Sequence, residues 1–526
     1  MKASDLLVRC LESEGVEYIF GIPGEENIDL MDSLSRSPIQ FVLTRHEQGA
    51  AFMADVYARV TGKPGVCLAT LGPGATNLIT GVANAHLDRS PVIAITGQAA
   101  RTRLHKESHQ NVDTVQLFKS ITKYDQQILS ARTIPEIVRK AFEQAVSGSP
   151  GAVHLQLPED VARDEVPADV QPLSVFRQEA KARPLEDALG EAARLITEAK
   201  RPIILAGNGI IRTEAWDEVE KLVTTANLPL VNTFMAKGLL PFDHPRNLFT
   251  VGGTPYPVGL RPLHEADLII AIGFDLVEYD PVNWNRDQTR RVLNIHSVPA
   301  ETDAHFPVVL DLVGDIKETL TALEQLVERR PDPTNHDAIR ARRLQALTSI
   351  PTPHEALPRQ VMWALSKQLP QNAVVISDVG LHKVWVSRWY QPKAPGRTII
   401  FNGFASMGGS LPGALASRLA KPHDPVVVVT GDAGFLMNAQ ELETAKRLGL
   451  VFTVVIFNDR CLSLIEKHQQ DANLAVTDVT FTNPDFALFA KSFGVDHRVV
   501  NSAEQFSVAL DEAVSSARLN LLEVVL

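Results

Sequence analysis

Short, unbroken apolar runs alternate with segments of helical spacing from one end of the chain to the other. Runs such as 40–44, 65–70 and 91–96 are too short for helices and lack the polar alternation of a half-exposed strand. They read as strands buried on both faces. Segments 25–35 and 47–61 between them carry apolar residues at helical spacing. Residues 3–17 open the chain as an amphipathic helix with Ser4 as its N-cap. A strand from Tyr18 follows and ends in the tight turn Gly21-Ile22-Pro23-Gly24. The glycine loop Gly72-Pro73-Gly74-Ala75-Thr76-Asn77 turns strand 65–70 into another helix. Strand–helix alternation of this kind predicts an α/β fold with a parallel sheet covered by helices on both sides.

The pattern falls into three units. Residues 158–184 are proline-rich, charged and aperiodic, and read as a linker. A central unit follows, with strands at 202–206, 229–233, 267–272 and 291–295. It contains the turn Gly207-Asn208-Gly209 and helices at 213–226 and 315–329. A second polar, proline-containing connection covers 329–354, and a last unit ends in strand 521–526. The expected domains are 1–165, 185–330 and 355–526. Residues 91–97 (PVIAITG) and 425–431 (PVVVVTG) resemble each other, and each follows a small-residue helical stretch opened by glycine (74–86 and 408–419). Two similar outer α/β domains around a Rossmann-like central one are the natural reading.

Length and composition narrow the class. The chain has 526 residues with a net charge of −11, 45% hydrophobic and 21% charged residues. These proportions are those of a globular protein with room for about three domains. The acidic balance and the lack of a basic block exclude nucleic acid and anionic membrane as partners. No apolar run reaches ~18 residues, so no spanning helix is expected. Cys10, Cys67 and Cys461 are too scattered for a disulfide framework or a metal site, which fits a reducing cytoplasm.

The stretch 425–464 concentrates the chemistry. A buried strand, 425–430, runs into Gly431-Asp432-Ala433-Gly434. A helical segment, 438–448, leads to a second strand, 451–457, that ends in Asn458-Asp459. Parallel strands deliver their C-terminal ends to one edge, so Asp432 and Asp459 arrive together there. Two hard oxygen ligands suit Mg²⁺, which completes its shell with phosphate and water. The small residues let backbone N–H groups approach a phosphate. A plain strand–turn–helix is the competing reading of the first acid alone.

This stretch resembles the thiamine diphosphate and Mg²⁺ signature of the pyruvate decarboxylase/acetolactate synthase superfamily, with the two acids 27 positions apart as in that family. Ala433 and Asp459 stand where glycine and asparagine are commoner. The resemblance implies Asp432, Asp459 and the main-chain carbonyl of Cys461 as metal ligands. It implies diphosphate contacts from Gly431, Asp432, Ala433 and Gly434, and from Gly380 and His382 in Asp378-Val379-Gly380-Leu381-His382. Pro23 and Gly24 belong to the expected cofactor contacts. In Arg45-His46-Glu47 it places the glutamate that hydrogen-bonds N1′ of the aminopyrimidine. In Ala405-Ser406-Met407 it places the apolar wedge under the cofactor, Met407, and the carbonyl facing the 4′-amino group, Ala405. The resemblance implies that Gln110 faces substrate, with His109 beside it, and that His468 stands nine positions beyond Asp459, where many relatives carry an acceptor-facing tryptophan. Without the resemblance, Glu47 reads as a helix N-terminal acid, Met407 as a core residue, His382 as structural and His468 as solvent-facing.

The resemblance spans the whole chain and is nearest to acetolactate synthase (acetohydroxyacid synthase-like), in the stretches 43–81 and 431–445. It implies decarboxylation of pyruvate and carboligation to a second 2-keto acid. It also implies thiamine diphosphate and Mg²⁺ as cofactors, and a homodimer or homotetramer whose active sites lie between subunits. The segment Gly273-Phe274-Asp275-Leu276-Val277-Glu278-Tyr279-Asp280-Pro281 is similar to the branch without FAD, and Asn294-Ile295-His296-Ser297-Val298 lacks the acids of the flavin-binding branch. Within the superfamily, benzoylformate-type decarboxylases and sulfoacetaldehyde acetyltransferase are alternatives. Outside it stand an NAD-binding Rossmann oxidoreductase built on Gly207-Asn208-Gly209 and a non-enzymatic binding scaffold.

Overall fold

The computed structural model describes residues 1–174, 181–252, 257–331, 336–348 and 355–526. Parts of the expected linkers, 175–180, 332–335 and 349–354, lie outside the described residues. The strands form three six-stranded sheets, and every ladder among the described residues is parallel. The first sheet contains β1 (Tyr18–Gly21), β2 (Gln40–Leu43), β3 (Gly65–Ala69), β4 (Val92–Gln98), β5 (Tyr124–Gln127) and β6 (Ala152–Pro158). The second contains β7 (Pro202–Ala206), β8 (Leu230–Asn232), β9 (Asn247–Thr250), β10 (Leu268–Ile272), β11 (Arg291–His296) and β12 (Val308–Val313). The third contains β13 (Val374–Ser377), β14 (Thr398–Ile400), β15 (Val426–Gly431), β16 (Thr453–Asn458), β17 (Asp496–Val500) and β18 (Asn520–Val525).

The outer sheets share one topology, β2-β1-β3-β4-β6-β5 and β14-β13-β15-β16-β18-β17. The central sheet runs β12-β11-β10-β7-β8-β9, the order of a doubly wound dinucleotide fold. The repeat is therefore real, but it does not align the two strings that suggest it. PVIAITG lies on the fourth strand of its sheet, whereas PVVVVTG lies on the third of its own. The counterpart of β15 is β3. Any strand buried on both faces converges on such an apolar run, so the likeness of two strings carries no register.

Helices Glu47–Thr61 and Ser410–Ala420 occupy equivalent places, each between the second and third strands of its sheet. They pack on each other, and Phe52, Val56, Phe401, Ala414 and Leu415 form one core with residues of both outer sheets. Close approach requires small residues: a Cβ at Gly413 would lie 2.7 Å from Val56. Arg59, paired with Asp55 and Asp88, donates to the Ile400 carbonyl at 3.2 Å, and Asp88 accepts the Gly403 N–H at 2.5 Å.

Several elements differ from the sequence reading. The first helix ends at Ser13, because Gly15 takes φ +78°. Ser4 lies inside that helix, buried, accepting the Ser33 hydroxyl at 2.9 Å; the N-cap is Lys2. The first sheet continues through β5 and β6. His154 interrupts β6 as a pattern, but its ring is satisfied by Thr96 (2.8 Å) and Asp125 (2.6 Å). Within the expected linkers lie helices Glu159–Arg163 and His336–Thr348; the latter turns a buried arginine, Arg343, onto the Thr250 carbonyl. The helix expected over 315–329 spans Ile316–Glu324. The helix expected over 438–448 spans Glu441–Arg447, and a separate short helix, Asp432–Met437, precedes it; the two are divided where the Asn438 side chain donates to the Gly408 carbonyl.

Candidate functional site

The C-terminal ends of β13, β15 and β16 converge on one edge of the third sheet. They enclose a cavity of about 110 Å³ lined by Gly380, His382, Met407, Gly431, Asp432, Ala433, Gly434, Asp459 and Cys461, with Ser463 and Ile465 at its side. Nine of the residues singled out in the sequence therefore meet in one place.

Each is held by its neighbours. Asp432 starts its helix buried, with Oδ1 accepting the Ala433 N–H (2.8 Å) and Oδ2 accepting the Arg460 N–H (2.8 Å) and the Asn483 amide (2.7 Å). Asp459 accepts the Cys461 N–H at 3.1 Å and the Ser463 hydroxyl. Two loops that follow different strands are thus tied through carboxylate oxygens. Among the described residues, no three His, Cys, Asp or Glu side chains converge as a complete metal cage. Two carboxylates and a carbonyl at Cys461 are the partial shell that Mg²⁺ accepts when phosphate completes it. The Cys461 thiol itself turns to Glu466 at 3.4 Å.

His382 is the strongest sign of a ligand. Its ring is buried, Nε2 has no hydrogen-bond partner among the described residues, and burial pushes its pKa down to about 4. A neutral imidazole with an unpaired buried nitrogen is costly unless something binds there. Two glycines make room for it: a Cβ at Gly380 would lie 2.6 Å from the ring, and one at Gly431 would lie 3.2 Å from Nδ1. Glycine-lined backbone, a helix start and an unpaired imidazole together fit a diphosphate.

The Met407 segment is set from beneath by Asp378, which accepts the N–H groups of Gly408 (2.9 Å) and Ser410 (3.2 Å) and the Ser410 hydroxyl (2.6 Å). Ala405 takes φ +54°, a strained conformation for a residue with a Cβ. Sequence reasoning missed Asn483, which bridges Asp432 and Asn458, and Glu523, which accepts from Asn458 (2.6 Å) and His497 (2.8 Å). Neither lies in a recognisable pattern.

The remaining residues gather on the first sheet. Glu47, half-buried at the start of its helix, accepts the Asn77 amide at 3.0 Å and lies beside Gly74. Gln110, with φ +57°, packs its carbonyl against Gly72. The Gly72–Gly74 turn thus brings Glu47 and Gln110 to one edge. Gly24 sits against the Thr70 side chain, with Pro23 exposed beside it. His109 and His468 are exposed, and neither lines the cavity; nor do Ala405, Glu47 or Gln110. Glu47 and the Asp432 cavity are therefore separate places within one chain.

The turn after β7 has the same strand–glycine–helix form, but it is filled. The Glu278 carboxylate accepts the Asn208 N–H at 2.9 and 3.0 Å, the Asp275 N–H at 3.0 Å and the Thr233 hydroxyl at 2.5 Å. Burial, then the charge of Asp275, pushes its pKa up to about 8. Asp275 in turn pairs with Arg212 at 2.8 Å, and Arg89 and His296 each approach it to 3.7 Å.

Comparison with known proteins agrees with this geometry. Family models match over three stretches: the N-terminal TPP binding domain of thiamine pyrophosphate enzymes over residues 1–117, the central domain over 189–323, and the C-terminal TPP binding domain over 378–524. A probable acetolactate synthase large subunit from Methanocaldococcus jannaschii is 33% identical, with 100% of this chain and 92% of that protein aligned. An acetolactate synthase from Bacillus subtilis is 33% identical over 99% of this chain and 93% of its own length. The acetolactate synthase isozyme 2 large subunit of Escherichia coli is 32% identical over 100% and 95%.

Proposed function

The chain belongs to the thiamine pyrophosphate enzymes, among the acetolactate synthases, and on that footing we propose that it joins two pyruvates into 2-acetolactate with loss of CO₂. The observation that carries the reading is the cavity at the end of β15, with its glycine lining, two aspartates and unpaired His382 nitrogen. Thiamine diphosphate, when bound, would supply a nucleophilic carbon and a cationic ring able to take up the electron pair left by departing CO₂. The backbone at Gly431–Gly434, Gly380 and His382 hold its diphosphate. Asp432, Asp459 and the Cys461 carbonyl hold Mg²⁺. Met407 supports the middle of the cofactor, and the Ala405 carbonyl accepts from its amino group. Glu47 shares a proton with the ring nitrogen N1′. Gln110 faces the substrate, with His109 and His468 in reach of the acceptor.

The working unit in this reading is a dimer, with each site built from the first sheet of one subunit and the third sheet of the other. Glu47 does not line the cavity of its own chain. Phe404 (46% exposed), Met437 (50%) and Ile465 (47%) leave a broken apolar rim around the Met407 segment, a surface suited to cover by a second copy. We also read the enzyme as free of FAD, because Glu278 already takes the N–H groups at the dinucleotide position of the central sheet. No described helix is long and apolar enough to cross a membrane, and the free thiols Cys10 and Cys67 are buried; both fit the cytoplasm.

The test is direct. Purified chain with pyruvate, thiamine diphosphate and Mg²⁺ should release CO₂ and form 2-acetolactate, identified by mass, without added FAD. Release of acetaldehyde alone, or condensation only with a different acceptor, would contradict the assignment. A stoichiometric flavin band in the purified protein would contradict the FAD reading.

A further inference from the structure

Glu441 has no part in the reading above, yet it is wholly buried and aimed at the start of the helix that carries Glu47. Its Oε1 accepts two consecutive backbone N–H groups, those of Arg45 (2.9 Å) and His46 (3.1 Å), and its Oε2 accepts the Thr444 hydroxyl (2.7 Å). These bonds join residues almost 400 positions apart in sequence and belong to different outer sheets. The neighbouring Asn438 donates to the Gly408 carbonyl (2.8 Å) and to the Gln48 side chain (3.3 Å). One turn, 438–441, therefore grips the segment beside Met407 and the residues on both sides of Glu47.

We propose that Glu441 is a positioning residue for Glu47: its carboxylate fixes the backbone of Arg45 and His46 and so sets where the Glu47 side chain is presented. Three observations favour this over a plain packing role. An acid buried this deeply is costly to desolvate, and a packing role would be met by an apolar residue. The carboxylate faces the N-terminal end of helix Glu47–Thr61, where the N–H groups of Arg45 and His46 bind it and the helix dipole favours an acid. The helix is also cut back to admit it, because a Cβ at Gly49 would stand 2.9 Å from Oε1. Displacing a proton-sharing group by a fraction of an ångström costs far more in rate than in binding.

The inference rests on the assigned role of Glu47, and the experiment separates the two. The full-length protein is loaded with thiamine diphosphate and Mg²⁺, and hydrogen–deuterium exchange at the reactive cofactor carbon is followed by NMR, with cofactor affinity measured in parallel. Glu441→Ala should slow exchange roughly tenfold or more while cofactor affinity stays near that of the unaltered protein. Glu441→Gln keeps an oxygen for the two N–H groups and should recover most of the rate. Gly49→Ala presses on the carboxylate without removing it and should slow exchange, which decides the matter if Glu441→Ala does not fold. Exchange at the unaltered rate in Glu441→Ala or, failing that variant, in Gly49→Ala would overturn the proposal. So would a Gln variant as slow as the Ala one. Glu47→Gln is the control: if it exchanges at the full rate, the role of Glu47 falls, and this proposal falls with it.

Discussion

The turns after β15 and β7 begin alike. Each ends a buried parallel strand, passes a glycine and starts a helix within one or two residues. After β15 the space ahead of the helix is a cavity with an unpaired imidazole nitrogen. After β7 it is occupied by the Glu278 carboxylate, close enough that a Cβ on Gly207 would lie 2.7 Å from it. Both turns offer backbone N–H groups to an anion. One keeps them for a ligand, while the other satisfies them from within the chain. A strand–glycine–helix turn is thus a potential site, and the side chain delivered by the loop after the neighbouring strand, here β10, decides whether it becomes one.

The largest effect should come from breaking the open turn. Asp432→Ala removes the proposed Mg²⁺ ligand and also the acceptor for Arg460 and Asn483, so thiamine diphosphate affinity measured with Mg²⁺ by calorimetry should fall by more than roughly a hundredfold. Removal of Mg²⁺ with a chelator should give a loss of the same order in the unaltered protein. Next comes His382→Ala. If Nε2 bonds an anionic diphosphate, its loss should weaken cofactor binding by about tenfold to a hundredfold, as for a hydrogen bond to a charged group, with little change in melting temperature.

The filled turn is sharpened by pH. The Glu278 carboxyl ionises near 4.3 in an unfolded chain but near 8 in the folded protein. Between those values the folded chain holds the extra proton, so this group's stabilising contribution is greatest at low pH and is lost as pH rises through about 8. Glu278→Gln lacks that loss. Its melting temperature relative to the unaltered protein should therefore climb between pH 5 and pH 9, and parallel curves would show that Glu278 is not buried as an acid. The smallest effect is expected at Asp459→Asn. It keeps an oxygen at the proposed ligand position, so cofactor affinity should change by no more than about threefold.

The same contrast explains what the sequence disclosed. Asp432, Asp459, Gly380, His382 and Met407 were legible because parallel strands send short loops to a common edge, so spacing along the chain translates into proximity. Helix Glu47–Thr61 was legible to the residue because Gly62, at φ +71°, ends it. β5 and β6 were not, since their polar side chains are satisfied by other strands, a pairing that periodicity does not encode. The helix in the second linker was hidden for a similar reason, as Arg343 points inward rather than out. Asn483, Glu523 and Glu441 act through contacts between distant segments, and no local pattern announces them. The repeat was visible as a likeness of strings, but only the order of strands revealed which parts correspond.

If Glu47 and Asp432 serve one site from two subunits, as proposed, subunit mixing will restore activity that neither variant has alone. Glu47→Gln and Asp432→Ala should each be nearly inactive alone. When the two are co-expressed and assort at random, half of the dimers are mixed, and each mixed dimer holds one site with both residues intact. Pyruvate-to-acetolactate activity should therefore return to about a quarter of the unaltered level. If the mixture stays as inactive as either variant alone while mixed dimers are demonstrably present, the two residues do not meet across the subunit boundary, and the account is wrong.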